Sequence, residues 1–386
     1  MSEAYPLLEH ESGGIRQTAL LSEKRLLEYT REEAAGESLV GALFLGRVER
    51  VLPDIKAAFV KIGQPKNGFL PLRESDSFHQ THGGASLMSG QEILVQVKKD
   101  PKGEKGAFLT RDIALPGQYS LVMPQNRFVG VSKRVEDAQD HARAKRLGRQ
   151  IAGERFGVIV RHAALFARPQ AVRDEAEELW QTWQGIQQKA ACTKAPCVMY
   201  RDVSPVEMLQ RDYGARCEIT LQREADMGSV AMDAAWNAAH VQRQLREALS
   251  RYVPLPGGGS LIVDEREALS TIDVNSGSTV FASDGDGLPL EENLRAVPEI
   301  ARQIRLRNLS GIVLVDFIDM DLDGQRAQVQ AAMEAALSED RVKTVVHGFT
   351  SLGLLELTRK RTRDSLRDLL TQPCGACRET GRVIRG

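Results

Sequence analysis

Aromatic side chains make up only 5% of the 386 residues, cysteines number five, and Lys+Arg 51 against Asp+Glu 52 leaves a formal net charge of -1. Each shortage excludes something. An odd, small number of cysteines over a long chain argues against a disulfide framework and for reduced thiols. Balanced charge removes any global field that advertises nucleic acid, so a polyanionic partner needs local basic patches. No run approaches about 18 consecutive apolar residues, which excludes a membrane-spanning helix. The opening Met1-Ser2-Glu3-Ala4-Tyr5-Pro6 lacks the basic-then-apolar pattern of a signal peptide. A soluble, cytoplasmic chain is the expectation. Hydrophobic residues at 42% and charged residues at 27% are globular values, and the length suggests about two or three domains with a sizeable core.

Along the chain, the first forty residues give one strand signal, Thr18-Ala19-Leu20-Leu21, and a charged stretch over 23–37 that reads as partly loop. Short β-type runs follow at 43–45, 47–52, 57–62, 68–72, 92–98 and 107–110, separated by Gly, Pro, Asp or Asn; this rhythm predicts a small antiparallel barrel of the OB type. Residues 118–197 read as a second unit: strands at 119–123, 129–131 and 157–161, and helices over 136–154 and 173–188. Trp180 and Trp183, three apart on the second helix, read as core packing. Residues 199–228 look strand-rich and 232–250 helical, and Pro254-Leu255-Pro256-Gly257-Gly258-Gly259 is the clearest turn. Beyond it the pattern predicts a hairpin at 261–264 and 269–275, helices over 291–307 and 324–337, strands at 311–317 and 342–346, and a helix over 354–370. Alternation of this kind builds an α/β sandwich.

Within Thr271-Ile272-Asp273-Val274-Asn275 the two-residue period of a strand puts Thr271, Asp273 and Asn275 on one face and Ile272 and Val274 in the core. Asp316 ends the apolar run Gly311-Ile312-Val313-Leu314-Val315, with Asp319 just behind, and ligands of open α/β sheets gather outside the carboxyl ends of such strands. If the two strands are neighbours, Asp273 and Asp316 repel unless a cation lies between them. Hard oxygen ligands favour Mg²⁺, which can deliver water to a phosphodiester. The plain alternative is that both aspartates cap helices or face solvent. Arg302, Arg305 and Arg307 end one predicted helix and Arg359, Lys360, Arg361 and Arg363 run through another; the first cluster either complements the helix dipole or faces phosphates, and the second is either solvated or faces phosphates.

In the barrel, Phe59 and Phe69 lie among Lys56, Lys61 and Lys66, and Lys105 projects from a basic turn over 98–106, the combination with which single-strand binders stack bases and meet phosphates. Core packing is the alternative for either ring. At the C-terminus, Cys374-Gly375-Ala376-Cys377 is a knuckle whose two thiolates suit Zn²⁺, with the other two of four ligands supplied by a second copy of the chain. An unligated pair is the alternative, and Cys192, Cys197 and Cys217 read as buried or incidental thiols.

These segments in this order resemble the ribonuclease E/G family, its G branch more than its E branch. The matching text is Gly46-Arg47-Val48, Ala57-Ala58-Phe59-Val60, Gly68-Phe69-Leu70, Lys105-Gly106-Ala107, Ile113-Ala114-Leu115-Pro116-Gly117, Thr271 through Asn275, residues 300–308, 315–320 and 354–363, and the cysteine knuckle, so it runs from about residue 40 to the end. The resemblance implies an α/β, multi-subdomain fold: an RNase H-like subdomain (1–40 and 198–255, the latter abbreviated), an inserted OB-fold (41–117), a 5′-sensor subdomain (118–197), a DNase I-like catalytic subdomain (256–371) and a zinc-link (372–386). It implies an endoribonuclease specific for single-stranded, A/U-rich RNA, leaving a 5′-phosphate, in mRNA decay and rRNA processing. Asp273 and Asp316 match its Mg²⁺-binding carboxylates and Asn275 the amide that positions attack; Phe59, Phe69 and Lys105 fall where its OB-fold grips RNA. Arg161 matches the 5′-monophosphate sensor, with Val129 and Gly130 in the supporting segment. His162 stands where the family has threonine. Implied too are homo-oligomers joined through Cys374 and Cys377 and no degradosome scaffold. A non-catalytic RNA-binding protein using the same OB-fold and basic helices stays open, as does a phosphodiesterase acting on DNA.

Overall fold

The computed structural model describes residues 4–33, 38–72, 87–101, 104–135, 137–201, 204–214, 217–277, 288–320, 323–372 and 374. Two compact units emerge, 1–4 with 32–219 and 5–31 with 220–386.

The chain opens with strands β1 (Ala4–Ser12), β2 (Ile15–Ser22) and β3 (Arg25–Glu33). Two-residue turns join them. Gly13 and Gly14 lie at φ 60° and 77°, Glu23 and Lys24 at 46° and 64°, the left-handed pairs that a tight hairpin requires. The charged stretch expected to be partly loop therefore runs as a strand from Arg25. Its charge misleads because Glu28 is only 1% exposed and is neutralised by Arg341, at 2.8 Å, and Arg363, at 3.0 Å.

In the first unit, β4 (Leu43–Leu52), β5 (Ala57–Lys61), β6 (Gly68–Pro71), β7 (Glu92–Lys99) and β8 (Phe108–Thr110) pair in the order β4-β5-β6-β8-β7 and close through β4–β7, giving an OB-like barrel. The predicted runs at 43–45 and 47–52 are one continuous strand. Phe44, Val48, Ala58, Val60, Leu70, Val95, Val97 and Leu109 fill the interior. Next come β9 (Leu115–Pro116), β10 (Ser120–Met123), β11 (Val129–Val131), helix α1 (Ala138–Ala152), β12 (Gly157–Val160) and helix α2 (Pro169–Ala191), the four strands ordered β11-β12-β10-β9. Trp183 is buried and Trp180 stacks on Phe156 with centroids 5.1 Å apart, so both tryptophans pack. Strand β13 (Cys197–Tyr200) returns to pair with β4. Helix α3 (Pro205–Tyr213) follows, where strand was expected; Ser204 and Glu207 form a reciprocal capping box at its start.

The second unit adds β14 (Glu218–Arg223) to β1 and continues with α4 (Glu224–Met227), α5 (Ser229–Ala238) and α6 (Val241–Leu249). The single helix expected over 232–250 is thus two, broken at His240, whose φ of 51° no α-helix accommodates. Strands β15 (Tyr252–Pro254), β16 (Ser260–Glu265), β17 (Leu269–Asn275), helix α7 (Leu288–Leu306), β18 (Gly311–Asp316), helix α8 (Asp323–Ser338), β19 (Thr344–Phe349), β20 (Leu355–Arg359) and helix α9 (Leu366–Leu370) complete it. The sheet order is β15-β16-β17-β18-β20-β19; β17 and β18 are parallel and α7 is the crossover. Val297, Ala301 and Ile304 of α7 and Val329, Met333 and Leu337 of α8 bury their stripe on Leu261, Ile272, Val313 and Leu355 of the sheet. The helix predicted over 354–370 is instead strand β20 and the one-turn α9. Leu355, Leu357 and Arg359 face inward at the two-residue period of a strand.

Candidate active site

Strand β17 alternates as its sequence requires: Thr271, Asp273 and Asn275 are exposed while Ser270, Ile272 and Val274 are buried. In the parallel ladder with β18, Ile272 pairs with Val315 and Asp273 with Asp316. Neighbouring strands are about 4.8 Å apart, so the two carboxylates stand side by side at the carboxyl ends of both strands. Asn275 Nδ2 donates to Asp273 Oδ2 at 2.9 Å and fixes that carboxylate's rotation. Asp316 carries the electrostatic consequence. Partial burial, then the charge of Asp273, then that of Asp319, push its pKa above the usual carboxylate range.

Two devices hold this edge. Gly259, at φ +81°, brings the glycine turn against the end of β17; a Cβ there meets the Asn275 carbonyl oxygen at 2.6 Å, so no other residue fits. On the other side, buried Asn293 of α7 donates to the Ile318 carbonyl at 2.8 Å and accepts from the Ile318 amide at 3.0 Å. With Phe317 and Met320 buried on either side, that clamp sets the loop bearing Asp319. Sequence reading passed over Asn293; a polar residue on an otherwise apolar helical stripe was the available signal. Among the described residues no three metal-ligating side chains gather as a cluster. The donor set is the Asp273/Asp316 pair, hard and anionic, which fits a small divalent cation that keeps most of its waters.

The basic clusters do not face outward as a phosphate surface. Arg302 pairs with Glu299 at 2.7 Å, Arg359 with Asp340 at 2.6 Å, both partners nearly fully buried, and Arg363 with Glu28. Arg307 donates to Gln303 Oε1 at 2.6 Å and to the Ser250 carbonyl at 2.8 Å, and burial lowers its pKa to about 10. Arg305 lies 3.7 Å from Glu339. Arg359 sits on a strand, and Arg363 precedes α9, so the second basic helix does not exist. Of the two clusters, Lys360 and Arg361 are the exposed cations. Arg302, Arg307, Arg359 and Arg363 are held by the partners just named, ion pairs and hydrogen bonds that neither the helix-dipole nor the phosphate reading anticipates.

On the barrel, Phe59 and Phe69 are half-buried on the outer face and meet edge to face with centroids 6.0 Å apart. Phe69 also meets Phe108 at 5.8 Å, and Lys99 Nζ lies 5.6 Å from the Phe108 centroid. Lys105 is exposed on a turn held to β6: Lys66 pairs with Glu104 at 3.2 Å, and the Phe69 amide donates to the Ala107 carbonyl at 2.7 Å.

Val129 and Gly130 lie on β11, parallel to β12, which delivers Arg161 at its end. Arg161 Nη2 pairs with Asp212 Oδ1 at 2.8 Å and Nη1 donates to the Gly117 carbonyl. The Arg161 guanidinium is thus engaged within the chain on two sides. His162 begins a 3₁₀ turn, its ring 5.2 Å from that of Phe166. Cys374 is exposed, while Cys377 lies outside the described residues. Cys192 is exposed and Cys197 and Cys217 are half-buried, so none of the three is a core thiol.

Known proteins are similar to this sequence over most of its length. The sequence profile of the Ribonuclease E/G family matches residues 114–232 and 217–362. Ribonuclease G of Escherichia coli is 35% identical over 93% of this chain and 80% of its own length, and Ribonuclease G of Haemophilus influenzae is 34% identical over 99% and 84%. Ribonuclease E of Nostoc is 34% identical over 95% of this chain, though that covers 57% of its own length. Fold and relatives together define an endoribonuclease. The chain belongs to the ribonuclease E/G family.

Proposed function

We propose that this chain is a Mg²⁺-dependent endoribonuclease that cuts single-stranded, A/U-rich RNA and leaves a 5′-phosphate, in mRNA decay and rRNA processing. The observation that carries the reading is the Asp273–Asp316 register. Two like charges at adjacent strand ends, one with a raised pKa, are a destabilised pair that a cation relieves. Asp273 and Asp316 would hold Mg²⁺, which supplies polarisation of a phosphodiester oxygen and an acidified water. Asn275 locks the Asp273 carboxylate so that Oδ1 stays directed away from the shared hydrogen bond. Asp319, exposed on the clamped loop, adds negative potential that favours the cation.

Phe59 and Phe69 would stack bases while Lys105 meets the backbone; aromatic rings and exposed cations on one barrel face support that role. Arg161, backed by Val129 and Gly130, is the proposed 5′-phosphate contact, with His162 in place of a hydroxyl donor. The subdomain plan is likewise proposed: RNase H-like parts at 1–40 and 198–255, sensor at 118–197, DNase I-like catalytic part at 256–371. So is the Zn²⁺ link through Cys374 and Cys377 between copies of the chain. Action in the cytoplasm belongs to the same proposal; separately, no helix among the described residues is long and apolar enough to cross a membrane. The test is a gel assay on labelled single-stranded RNA and DNA with Mg²⁺ or EDTA. RNA cleavage that EDTA stops supports the reading. RNA retention without cleavage favours a binding protein, and equal cleavage of DNA favours a general phosphodiesterase.

A further inference from the structure

The outer face of the barrel carries one uninterrupted cross-strand row. Arg50 on β4 is the register partner of Phe59 on β5, Phe59 of Phe69 on β6, Phe69 of Phe108 on β8, and Phe108 of Lys99 on β7. Each ring is flanked in sequence by inward residues, Ala58 and Val60, Gly68 and Leu70, Ala107 and Leu109, so the pleat turns all three outward. Register shifts in β4 before Arg50 and in β7 before Lys99 place an extra residue at each end, which leaves both cations exposed. Ring centroids step by 6.0 and 5.8 Å, and Lys99 Nζ stands 5.6 Å from the last ring.

A fully packed apolar patch has no need of cations at both ends, and a purely electrostatic groove has no need of rings. An alternation of π-faces bounded by positive charge matches single-stranded nucleic acid, in which bases stack and phosphates follow within the reach of Lys and Arg. We propose that Phe108, with Lys99 beside it, extends the RNA-stacking face of the barrel by a third ring, so that the track runs from Arg50 to Lys99 and takes one more base than Phe59 and Phe69 alone. The proposal rests on the RNA reading above and adds the length and direction of the bound strand.

The test measures binding of fluorescein-labelled oligouridines of 4 and 12 nucleotides to the full chain in EDTA, by anisotropy. Phe108→Ala should weaken the 12-mer about tenfold, the effect of one lost base stack, and the 4-mer much less. Phe108→Trp should bind at least as well as the parent, which a merely structural role does not predict. Lys99→Ala should reduce the slope of log K against log salt by about one phosphate contact. A Phe108→Ala 12-mer affinity within twofold of the parent overturns the proposal, and so does equal weakening by Ala and Trp. If Phe59→Ala and Phe69→Ala lose affinity while Phe108→Ala does not, only the third ring fails. If none of the three matters, the barrel's RNA role fails with it.

Discussion

Replacing Asp316 with Asn should abolish cleavage yet make the metal-free protein more stable at neutral pH. Two carboxylates on adjacent strands, about 5 Å apart, repel by about 0.8 kcal/mol in water and about 3 kcal/mol at an effective dielectric of 20. The site is open to solvent, so the lower figure governs and about 1 kcal/mol is the expected gain. For a domain of this size that corresponds to a Tm rise of about 2–4 °C. The pH dependence follows from the raised pKa of Asp316. Between the usual carboxylate range and the raised value, the folded chain keeps a proton that the unfolded chain has lost. Stability therefore falls as pH rises through that window, and the repulsion is fully present above it. Mg²⁺ should reverse the penalty in the parent alone: at ten times its Kd the ion adds about 1.4 kcal/mol. Thermal unfolding of parent and Asp316→Asn at pH 4 and 7.5, in EDTA and in Mg²⁺, reads all three effects. A lower Tm for the variant at pH 7.5 in EDTA, or an equal Mg²⁺ shift in both proteins, refutes the repelling pair.

Arg359→Met, which removes the guanidinium paired with buried Asp340, should cost about 3–5 kcal/mol in denaturant unfolding; a loss under 1 kcal/mol returns Arg359 to the pool of phosphate contacts. Asp212→Asn should release Arg161 and raise the preference for 5′-monophosphate over 5′-hydroxyl oligomers several-fold, and an unchanged cleavage ratio removes Arg161 from sensing. Replacing His162 with Ala should lower that same ratio; an unchanged ratio excludes His162 from the contact. Cys374→Ser with Cys377→Ser should lower the mass in light scattering, and an unchanged mass disposes of the zinc link.

What sequence could reveal tracked the range of the interactions responsible. Strand β17 was readable because its pleat is written in five consecutive residues, and the OB-like barrel because Gly and Pro mark each of its turns. The strands at 25–33 and 355–359 are hidden in the sequence because buried Glu28 and Arg359 look like surface charge until Arg341, 313 positions on, and Asp340, 19 positions back, neutralise them. The break at His240 has no Gly or Pro to announce it. Helix α3 does carry a local signal, the capping box Ser204-Pro205-Val206-Glu207, against the strand-like composition of the residues around it. Phe108 was assigned to a strand, but its place in the aromatic row depends on the parallel β6–β8 pairing, which no local pattern encodes. Asn293 likewise acts only once α7 has crossed over β17 and β18.

The central claim is most directly tested by Asp273→Asn in the same single-stranded RNA assay, with affinity for the oligonucleotide measured alongside. The account predicts cleavage lost by several orders of magnitude with RNA affinity within about twofold of the parent, since removing one metal-ligating carboxylate withdraws the ion's chemistry and leaves the barrel untouched. Undiminished turnover in Mg²⁺ contradicts it.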